Sequence, residues 1–481
     1  MKEHRGNWGS NIGFILAAVG SAVGLGNIWG FPYKMGASGG GIFLLIYLIL
    51  AALVGVTVLL GELSLGRKYQ MGPVGAYRQL CRKFTFLGYF SVFSGFLIMS
   101  FYSVLGGIVL KYVVGFAGAI FNPQNADIMT MSSGDYFGSF VCAGPSMYVF
   151  FVIFMAASVI IVSGGVAGGI ERFTKIAMPA LAVLLIAVIV YVATLDGAAD
   201  GYRFMFGIHT DAIRELGIWS ITKTAAGQMF FSLSLAMGIM LTYGSYLPKE
   251  TKLVKNSVII ATADTIVAVM AGMAVMPAVF AFGLEPGGGP GLLFVTLHSV
   301  FADGMGGEIG ALMGFIFYGL VFIAAITSSI SILEGSVTFV MDIRREKGMK
   351  MNRGRFTVII GALVLLFAIP VAFDGLGSGV GGGAIMKTPA ELFGIENVKV
   401  WCDCWLDFYD VITEGILMPL GAFGMCIVIG WIVGIDSIKT EIEATPGVKM
   451  NSAKWFDICF KVIAPAVLII VLIAQITSFF G

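Results

Sequence analysis

Charged residues are scarce in this chain: Asp, Glu, Lys and Arg together make up 12% of its 481 residues. Hydrophobic residues make up 58% and the mean hydropathy is +0.94, so no soluble domain of appreciable size fits the sequence. The 29 basic residues nearly balance the 28 acidic ones and form no basic stripe interleaved with aromatic residues, which excludes nucleic acid as a partner. The composition predicts a polytopic membrane protein.

Histidine and cysteine are also few. The three histidines are far apart and none accompanies a Cys-x-x-Cys pair, so the spacing predicts no zinc site. Of the six cysteines, Cys142, Cys402 and Cys404 are expected near one membrane face. A disulfide between Cys142 and one of the other two stays an open alternative, because sequence alone does not fix connectivity.

Apolar runs long enough to cross the hydrocarbon core of a bilayer recur along the chain. The first run has no small-residue cleavage site at its end and is followed at once by another, so we predict a span rather than a removed signal peptide. The count is eleven helical spans in a single membrane domain over residues 1–481. The expected ranges are 11–34, 41–66, 87–119, 145–166, 173–194, 224–247, 253–282, 305–341, 355–373, 405–434 and 453–478.

The basic residues predict an orientation. Most of the 29 lie in the N-terminal segment and in every second loop, at residues 67–83, 172–175, 249–255, 344–355 and 439–454. The positive-inside rule therefore places the N-terminus in the cytoplasm and, after eleven spans, the C-terminus outside. We expect a multi-pass protein of the plasma (inner) membrane.

Two of the spans contain poor helix sequence. Gly20, Gly24 and Gly26 fall within Gly20–Asn27, and each weakens a helix by about 1 kcal/mol relative to alanine. In hydrocarbon, unwound backbone persists only where its amides and carbonyls meet protein, water or a ligand, so this segment predicts an ion or solute site at membrane depth. A second cluster of Ser, Ala and Gly lies in the sixth span, at Gln228–Gly238. For any single glycine, close helix packing is the alternative explanation.

Breaks that lie five spans apart indicate an internal repeat. Transporters built from two units of inverted topology bind their solute at the interface of the two units, through discontinuous helices. We expect the first inverted repeat over residues 7–194, the second over 224–434, and an additional helix at 453–478. The predicted fold class is an all-α membrane protein of 5+5 inverted-repeat type, with helices 1 and 6 broken.

Six short motifs of small, aromatic and polar residues extend over nearly the whole chain: Gly20–Pro32, Gly39–Gly41, Glu62 with Gly66 and Arg67, Ser100–Ser103, Phe230–Ser234 and Thr327–Ser329. Together they resemble the neurotransmitter:sodium symporter family, in the branch of the bacterial leucine and multi-hydrophobic amino acid transporters. The motifs follow the order of that family, and their combination is specific although any single Gly-x-Gly is weak. The resemblance implies the leucine-transporter-like fold and sodium-coupled transport.

The resemblance also implies two sodium sites. The first would use the carbonyl of Ala22 and the side chains of Asn27, Ser232 and Asp264, completed by the carboxylate of a bound substrate. Oxygen ligands of this kind suit a small hard cation, and helix breaks supply uncharged backbone carbonyls.

The second sodium site implied by the resemblance joins helices 1 and 8. It would use the carbonyls of Gly20, Val23 and Ala324 with the hydroxyls of Thr327 and Ser328. For the two hydroxyls, hydrogen bonds back to their own helix are the alternative.

Asp264 departs from the family pattern, which usually has asparagine at this position. An acid inside a membrane span is a functional-site hypothesis by default. Chloride-dependent relatives offset part of the sodium charge with a bound anion, and Asp264 could supply that negative charge itself, so we predict chloride-independent transport. Tyr47, Gln228 and Ser232 resemble the family's chloride-site residues but can equally form a hydrogen-bond shell for Asp264.

The substrate pocket implied by the resemblance is neutral and mostly apolar. Monoamine-carrying relatives place an aspartate at the position of Gly24, so we expect a neutral, hydrophobic L-amino acid whose carboxylate meets sodium, the amides near Leu25 and Gly26, and the Tyr102 hydroxyl. Ala236 stands where the leucine transporter has glycine, and its methyl group would either shorten the pocket or stiffen the break. The predicted pocket residues are Ser21, Ala22, Leu25, Gly26, Ile98, Tyr102, Phe231, Ser232, Ser234, Ala236, Met237, Ser328 and Ile332.

A cytoplasmic gate is implied at one end of the pathway. Arg5 and Trp8 precede the first span, and Asp342 ends the eighth, which matches the family's ion pair and ring. Tyr246 would belong to the same network. A solvated loop beside basic residues is the alternative for Asp342.

The outer gate fits the pattern less well. Relatives carry an arginine at the position of Gly30 and pair it with an acid in the tenth span, for which Asp410 is the candidate and Asp407 the alternative. Because the arginine is absent, either Lys34 reaches this acid or closure depends mainly on an aromatic lid of Tyr102 and Phe231.

Gly169 and Pro179 enclose nine residues at the start of the fifth span, a spacing that resembles the family's helix-unwinding motif. Proline removes a backbone donor and destabilises the preceding turn. Melting of this turn would admit water to the second sodium site. An ordinary proline kink is the alternative.

The predicted function is sodium-driven symport of neutral amino acids into the cell by alternating access, without enzyme activity. Expected partners are the amino acid, two sodium ions and the lipid bilayer, and a monomer is expected to suffice. One alternative is a carrier that replaces a sodium ion with a proton through Asp264, or exchanges the two. A non-transporting sensor or channel that keeps the site is another. A membrane enzyme is disfavoured, because the sequence lacks a membrane-depth histidine or metal cluster.

Overall fold

A computed structural model describes residues 6–141, 145–284, 291–376 and 386–480. Within these ranges nine helices are long and apolar enough to cross a membrane, and a tenth span is a pair of helices bent by 51° at a break. The described ranges contain no β-strand, only an isolated bridge between Gly40 and Ile208. The predicted all-α membrane architecture is confirmed. The open disulfide alternative involves Cys142, which lies outside the described residues.

The sixth span is broken more severely than the first. The predicted sixth span consists of two helices, Ile218–Ser232 and Ile239–Gly244, which are joined by residues 233–238 and are each too short to cross a membrane alone. We number the spans in chain order: α1a (Asn11–Ala22), α1b (Gly26–Ala37), α2 (Gly41–Tyr69), α3 (Arg82–Ala119), α4 (Ser146–Ser163), α5 (Val166–Val192), α6a (Ile218–Ser232), α6b (Ile239–Gly244), α7 (Leu253–Ala281), α8 (Gly307–Glu346), α9 (Arg353–Phe373), α10 (Trp405–Val433) and α11 (Ala453–Thr477).

The break in the first span is narrower than predicted. Helix α1a continues through Gly20 and Ser21, because the amide of Val23 still bonds to the carbonyl of Val19 at 2.7 Å. The backbone becomes extended at Val23, and helical structure resumes with a π-helical turn over Gly26–Gly30. The unwound part therefore begins three residues later than the expected start at Gly20.

The break in the sixth span contains left-handed backbone at residues that are not glycine. Ser234 and Ala236 have φ angles of 52° and 62°. This conformation costs an L-residue roughly 1–2 kcal/mol. The buried carboxylate of Glu62 on α2 accepts hydrogen bonds from the amides of Ala236 at 2.6 Å and Leu241 at 3.3 Å. Glu62 thus satisfies backbone donors that the break removes from helical pairing.

Small residues bring the central helices close together. Helices α3 and α8 pack along each other, and both pack against α4. A Cβ atom at Gly107 on α3 would lie 2.6 Å from the backbone nitrogen of Phe151 on α4. Ser158 on α4 and Ser329 on α8 share a hydrogen bond of 2.7 Å. Close backbone approach and interhelical hydrogen bonds of this kind hold membrane helices together where hydrophobic burial cannot.

Short helices cover the end of the bundle where α3 ends and α8 begins. The apolar helix Leu292–Met305 is too short to span and carries His298, whose Nε2 lies 2.6 Å from the carbonyl oxygen of Ile128. The rings of Tyr112 and Tyr136 pack against His298. Other helices outside the spans are Pro73–Leu80, Asp127–Thr130, Ser133–Val141, Ala198–Phe206, Thr210–Leu216, Pro389–Phe393, Val400–Asp403 and Asp436–Glu443.

Candidate functional site

A small cavity lies between the two helix breaks and the middles of α3 and α8. All but two of the predicted pocket residues line it. The exceptions are Ser232, whose hydroxyl turns to Asp264, and Ala236, whose amide bonds to Glu62. The cavity is lined by Ser21, Ala22, Gly24, Leu25, Gly26, Ile98, Tyr102, Phe231, Ser234, Met237, Ser328 and Ile332.

Glycines in the first break let side chains of α3, α6a and α8 approach the backbone. A Cβ atom at Gly24 would overlap the Ser328 hydroxyl and lie 2.9 Å from the Tyr102 oxygen. A Cβ atom at Gly26 would lie 2.6 Å from the ring of Phe231. A side chain at either position would therefore displace the groups that close around the cavity.

Tyr102 links α3 to the unwound part of α1. Its hydroxyl oxygen accepts a hydrogen bond from the amide of Leu25 at 3.1 Å. On the opposite side of the break, the Ser234 hydroxyl donates to the carbonyl of Ser21 at 3.0 Å. Free backbone groups of the first break are thus held by side chains from α3 and from the second break, which orients them around the cavity.

Asp264 on α7 is fully buried beside this cavity, and three neutral side chains bond to its carboxylate. The Asn27 amide donates to one oxygen at 2.7 Å, and the Ser232 and Tyr47 hydroxyls donate to the other at 2.8 Å and 3.4 Å. The Asn27 carbonyl oxygen in turn accepts from the amide of Gly24 at 3.4 Å. Neutral hydrogen bonds offset part of the cost of burying a carboxylate but leave its charge uncancelled. The oxygen atoms of this group are suitable ligands for a small cation, which would cancel the charge of the carboxylate.

A second cluster of oxygens lies where α8 meets the first break. The Ser328 hydroxyl faces the carbonyls of Ser21 at 3.0 Å and of Gly20 and Val23 at 3.4 Å each. Thr327 instead bonds back to carbonyls of its own helix, at Ile323 and Ala324, both at 3.0 Å.

The predicted second-site residues Gly20, Val23, Ala324, Thr327 and Ser328 are thus close together. The alternative for the two hydroxyls describes Thr327 but not Ser328, which reaches across to α1a. Carbonyls and hydroxyls from two helices converge here, and these uncharged oxygens can serve as ligands for a cation.

Rings and charged groups close one end of the cavity, here called the Trp8 end: Trp8, Tyr243, Tyr246, Glu334 and Asp342. The Trp8 indole donates to the carbonyl of Tyr243 at 3.1 Å, and its ring packs edge-on against Tyr243 and Tyr246. Tyr246 bonds to Glu334 at 2.6 Å, and Glu334 is ion-paired with Arg353 at the start of α9.

Asp342 is buried rather than solvated, so the loop alternative for this residue is wrong. Its carboxylate accepts a hydrogen bond from the amide of Gly72 at 2.6 Å, which ties α8 to the segment after α2. Its predicted partner Arg5 lies outside the described residues. Asp342 and Tyr246 therefore belong to the Trp8 end by position, and the Arg5 ion pair stays a prediction.

The other end of the cavity, here called the Lys34 end, consists of Lys34, Phe231, Asp410 and Glu414. Lys34 Nζ lies 6.0 Å from the centre of the Phe231 ring. Lys34 interacts electrostatically with Asp410 and Glu414, two acids that lie one helical turn apart on α10. At Gly30 a Cβ atom would lie 3.3 Å from the Gln228 side chain, so the space that relatives give to arginine is narrow.

Several carboxylates in the described spans had no assigned role in the sequence. Glu334 and Glu414 stand inside apolar runs, and the rule that an intramembrane acid marks a functional site could have found both. Glu171 had no such signal, because Arg172 and Lys175 beside it are typical of a helix end near water.

The fold and the site define the class of protein. Two discontinuous helices meet at membrane depth around a neutral cavity, with oxygen clusters on both sides, which is the arrangement of a secondary transporter with binding at the midplane. The model of the sodium:neurotransmitter symporter family matches residues 5–119 and 139–380. The chain belongs to this family.

Relatives from several organisms agree with that assignment. The chain is 34% identical over 474 residues to the sodium-dependent transporter YhdH of Bacillus subtilis, covering 96% of each chain. It is 23% identical to the human sodium- and chloride-dependent neutral and basic amino acid transporter B(0+), covering 99% of this chain and 80% of that one.

A solved structure agrees over nearly the whole chain. The structure of MhsT in complex with L-phenylalanine is 34% identical in sequence and superposes with a TM-score of 0.83, covering 98% of this chain and all of that one. The protein is therefore a multi-pass, sodium-dependent symporter of this family with a leucine-transporter-like fold, and the family consists of transporters rather than enzymes.

Proposed function

We propose that the protein moves neutral, hydrophobic L-amino acids into the cell together with sodium, by alternating access. One observation carries the proposal: a neutral cavity lies between the two helix breaks, with backbone amides and the Tyr102 hydroxyl at one side and apolar side chains at the other. Backbone amides at a break favour an anionic group, which suits the carboxylate of an amino acid.

The apolar side of the cavity supports the choice of substrate. Ile98, Met237 and Ile332 line it, and methionine adapts to more than one side-chain shape. Gly24 offers no charge to a substrate amine, so the ammonium group would meet carbonyls and hydroxyls near Ala22, Phe231 and Ser328. MhsT, at 34% identity, was solved with L-phenylalanine, which fits a cavity of this character.

Two sodium ions would travel with the amino acid. The first is assigned to Ala22, Asn27, Ser232 and Asp264, with the substrate carboxylate as a further ligand. Since the three partners of the Asp264 carboxylate are neutral, its charge is left for a cation, and no chloride is needed for balance. Transport is therefore proposed to be chloride-independent.

The second ion is assigned to the carbonyls of Gly20, Val23 and Ala324 and the hydroxyls of Thr327 and Ser328. Support comes from the Ser328 hydroxyl, which faces the carbonyls of Gly20 and Ser21 in α1a and of Val23 just after it. Because these ligands come from two helices, the ion would join α1a to α8 and would leave when they separate.

Alternating access would open the two ends of the cavity in turn. With the N-terminus in the cytoplasm, as the positive-inside rule predicts, the Trp8 end faces the cytoplasm and the Lys34 end faces outside. Helices α1, α2, α6 and α7 would rock as a bundle against the rest. The two breaks five spans apart support two inverted repeats, residues 7–194 and 224–434.

The test is uptake of labelled L-phenylalanine, and then of single neutral amino acids, into proteoliposomes that contain the purified protein. An inward sodium gradient should drive accumulation and an equal potassium gradient should not. Replacing chloride by gluconate on both sides should leave uptake unchanged. Loss of uptake without chloride would overturn the role given to Asp264. Uptake that follows a proton gradient at fixed sodium would support the alternative in which a proton takes the place of one sodium ion.

A further inference from the structure

We propose that Glu171 is a positioning residue for transport: its carboxylate clamps the N-terminal end of α1a to the start of α5. Glu171 is buried at the first turns of α5. The amide of Gly9 donates to one carboxylate oxygen at 2.6 Å, and the Ser10 hydroxyl donates to the other at 2.8 Å. Both donors lie just before α1a, more than 160 residues away along the chain.

The clamp acts on the helix through its cap. Ser10 is the N-cap of α1a, and its hydroxyl oxygen accepts from the amide of Gly13 at 3.0 Å. The same hydroxyl donates its proton to Glu171. The Ser10 side chain therefore connects the carboxylate to the first turn of the helix. A negative charge at this position is also favoured by the helix dipole.

Glycines in and just before α1a leave room for the carboxylate. A Cβ atom at Gly13 would overlap the Glu171 carboxylate, and one at Gly9 would lie 3.3 Å from both of its oxygens. Glu171 therefore packs on bare backbone, and any side chain at Gly13 would displace its carboxylate.

The other half of the clamp lies at the start of α5, where the helix is irregular. Residues Val166–Glu171 form π-helical turns, and Pro179 stands within α5. Lys175 pairs with Glu171 one turn further along, with 2.7 Å between Nζ and Oε1. Because the pair depends on helical spacing, unwinding between Gly169 and Pro179 would remove Lys175 from the carboxylate and let water reach it.

Release of α1a and unwinding of α5 would therefore occur together. This inference rests on the proposed inward opening at the Trp8 end. Helix α1a carries the Gly20 carbonyl, and the Val23 carbonyl follows at its end; both face Ser328, so freeing the N-terminal end of α1a would also loosen the second sodium site. Glu171 would thus hold the sodium-loaded transporter closed until α5 unwinds.

The experiment compares Glu171→Gln and Gly13→Ala with the wild type by hydrogen exchange in sodium, without substrate. Both variants should speed exchange about fivefold or more in peptides from 11–22 and from 166–175. The apparent KM for L-phenylalanine should rise by a similar factor while the maximal rate is kept, because the binding-competent state is less populated. The double variant should add little to the larger single effect, since both remove one contact.

Gly319→Ala is the matched control, because a Cβ atom at this position on α8 meets nothing within 4 Å. It should leave exchange and transport as in the wild type. Unchanged exchange in both segments of the two clamp variants would overturn the proposal. So would a rise spread over all helices with a lower maximal rate and an unchanged KM, which is the result of a purely structural role. If the wild type showed no sodium-driven uptake, the proposed function would fail, whereas the exchange measurement would still decide the clamp.

Discussion

The two ends of the cavity are closed by different physical means. At the Trp8 end, rings are backed by buried charged groups from separate helices, such as Glu334 with Arg353 and Asp342 with the amide of Gly72. At the Lys34 end, one lysine lies near the Phe231 ring and interacts electrostatically with two neighbouring carboxyl groups, those of Asp410 and Glu414.

Because different groups close the two ends, the two ends should open by different motions. Separating buried charged groups exposes charges that the fold had paired, so the Trp8 end should open through a concerted change in several helices. Phe231 covers the cavity with one ring, and a ring can move by side-chain rotation. Substitutions at the Trp8 end should therefore act on stability, and those at the Lys34 end on substrate affinity.

The largest effect is expected from Glu334→Ala. This change leaves Arg353 without its buried partner and removes an acceptor from Tyr246, and breaking such a pair costs about 3–5 kcal/mol. The matched control is Glu346→Ala, whose pair with Arg78 is exposed and is worth about 1 kcal/mol or less. Thermal unfolding in detergent measures both. Equal shifts of the unfolding midpoint would remove the distinction between the two ends.

A smaller effect is expected at the Lys34 end, where Phe231→Ala should raise KM about tenfold, equivalent to about 1.4 kcal/mol. The ring lines the cavity and lies against Gly26, so its loss opens one wall. Lys34→Gln should change KM less than threefold, because the lysine contacts the ring rather than the cavity. Initial uptake rates against substrate concentration measure both values. If Lys34→Gln weakened transport as much as Phe231→Ala, closure would depend on charge at both ends.

The pattern of small and apolar residues predicted the all-helical membrane fold, the two breaks and most of the residues around the cavity. It could not locate the start of the first break, because Gly20 and Ser21 keep helical hydrogen bonds despite their low propensity. It also gave no sign of left-handed backbone at Ser234 and Ala236, where propensity favours glycine.

Charged contacts between distant helices were the least predictable part of the site. The distant partners of Glu171 are Gly9 and Ser10, and neither glycine nor serine marks a carboxylate site in a sequence. Glu414 could have been suspected from its place in an apolar run, but its pairing with Asp410 depends on how α10 faces Lys34. Periodicity fixes which face of a helix is apolar, whereas such pairs depend on tertiary packing.

The short helices that cover the end of the bundle where α3 ends and α8 begins should be sensitive to acid. Burial lowers the pKa of His298, partly opposed by the carbonyl of Ile128 and by Asp303. An unfolded histidine titrates at about 6.5, so the unfolded chain binds more protons and stability falls as the pH drops from about 7 toward the lower folded pKa. His298→Gln should flatten this loss between pH 7 and 5 in thermal unfolding. An unchanged slope would assign the acid sensitivity to other groups.

The smallest effect is expected from Ala236→Gly, in the break between the two ends. Glycine relieves the left-handed backbone, which costs alanine roughly 1–2 kcal/mol, but it loses about 0.5–1 kcal/mol through a more flexible unfolded chain. The net gain should be about 1 kcal/mol or less, visible as a slightly higher unfolding midpoint. The Ala236 methyl group packs toward Gly421 on α10 and does not line the cavity, so the preference among neutral amino acids should stay the same. A variant that accepted larger side chains would show that this methyl group limits the pocket during transport, and would restore the alternative in which Ala236 shortens it.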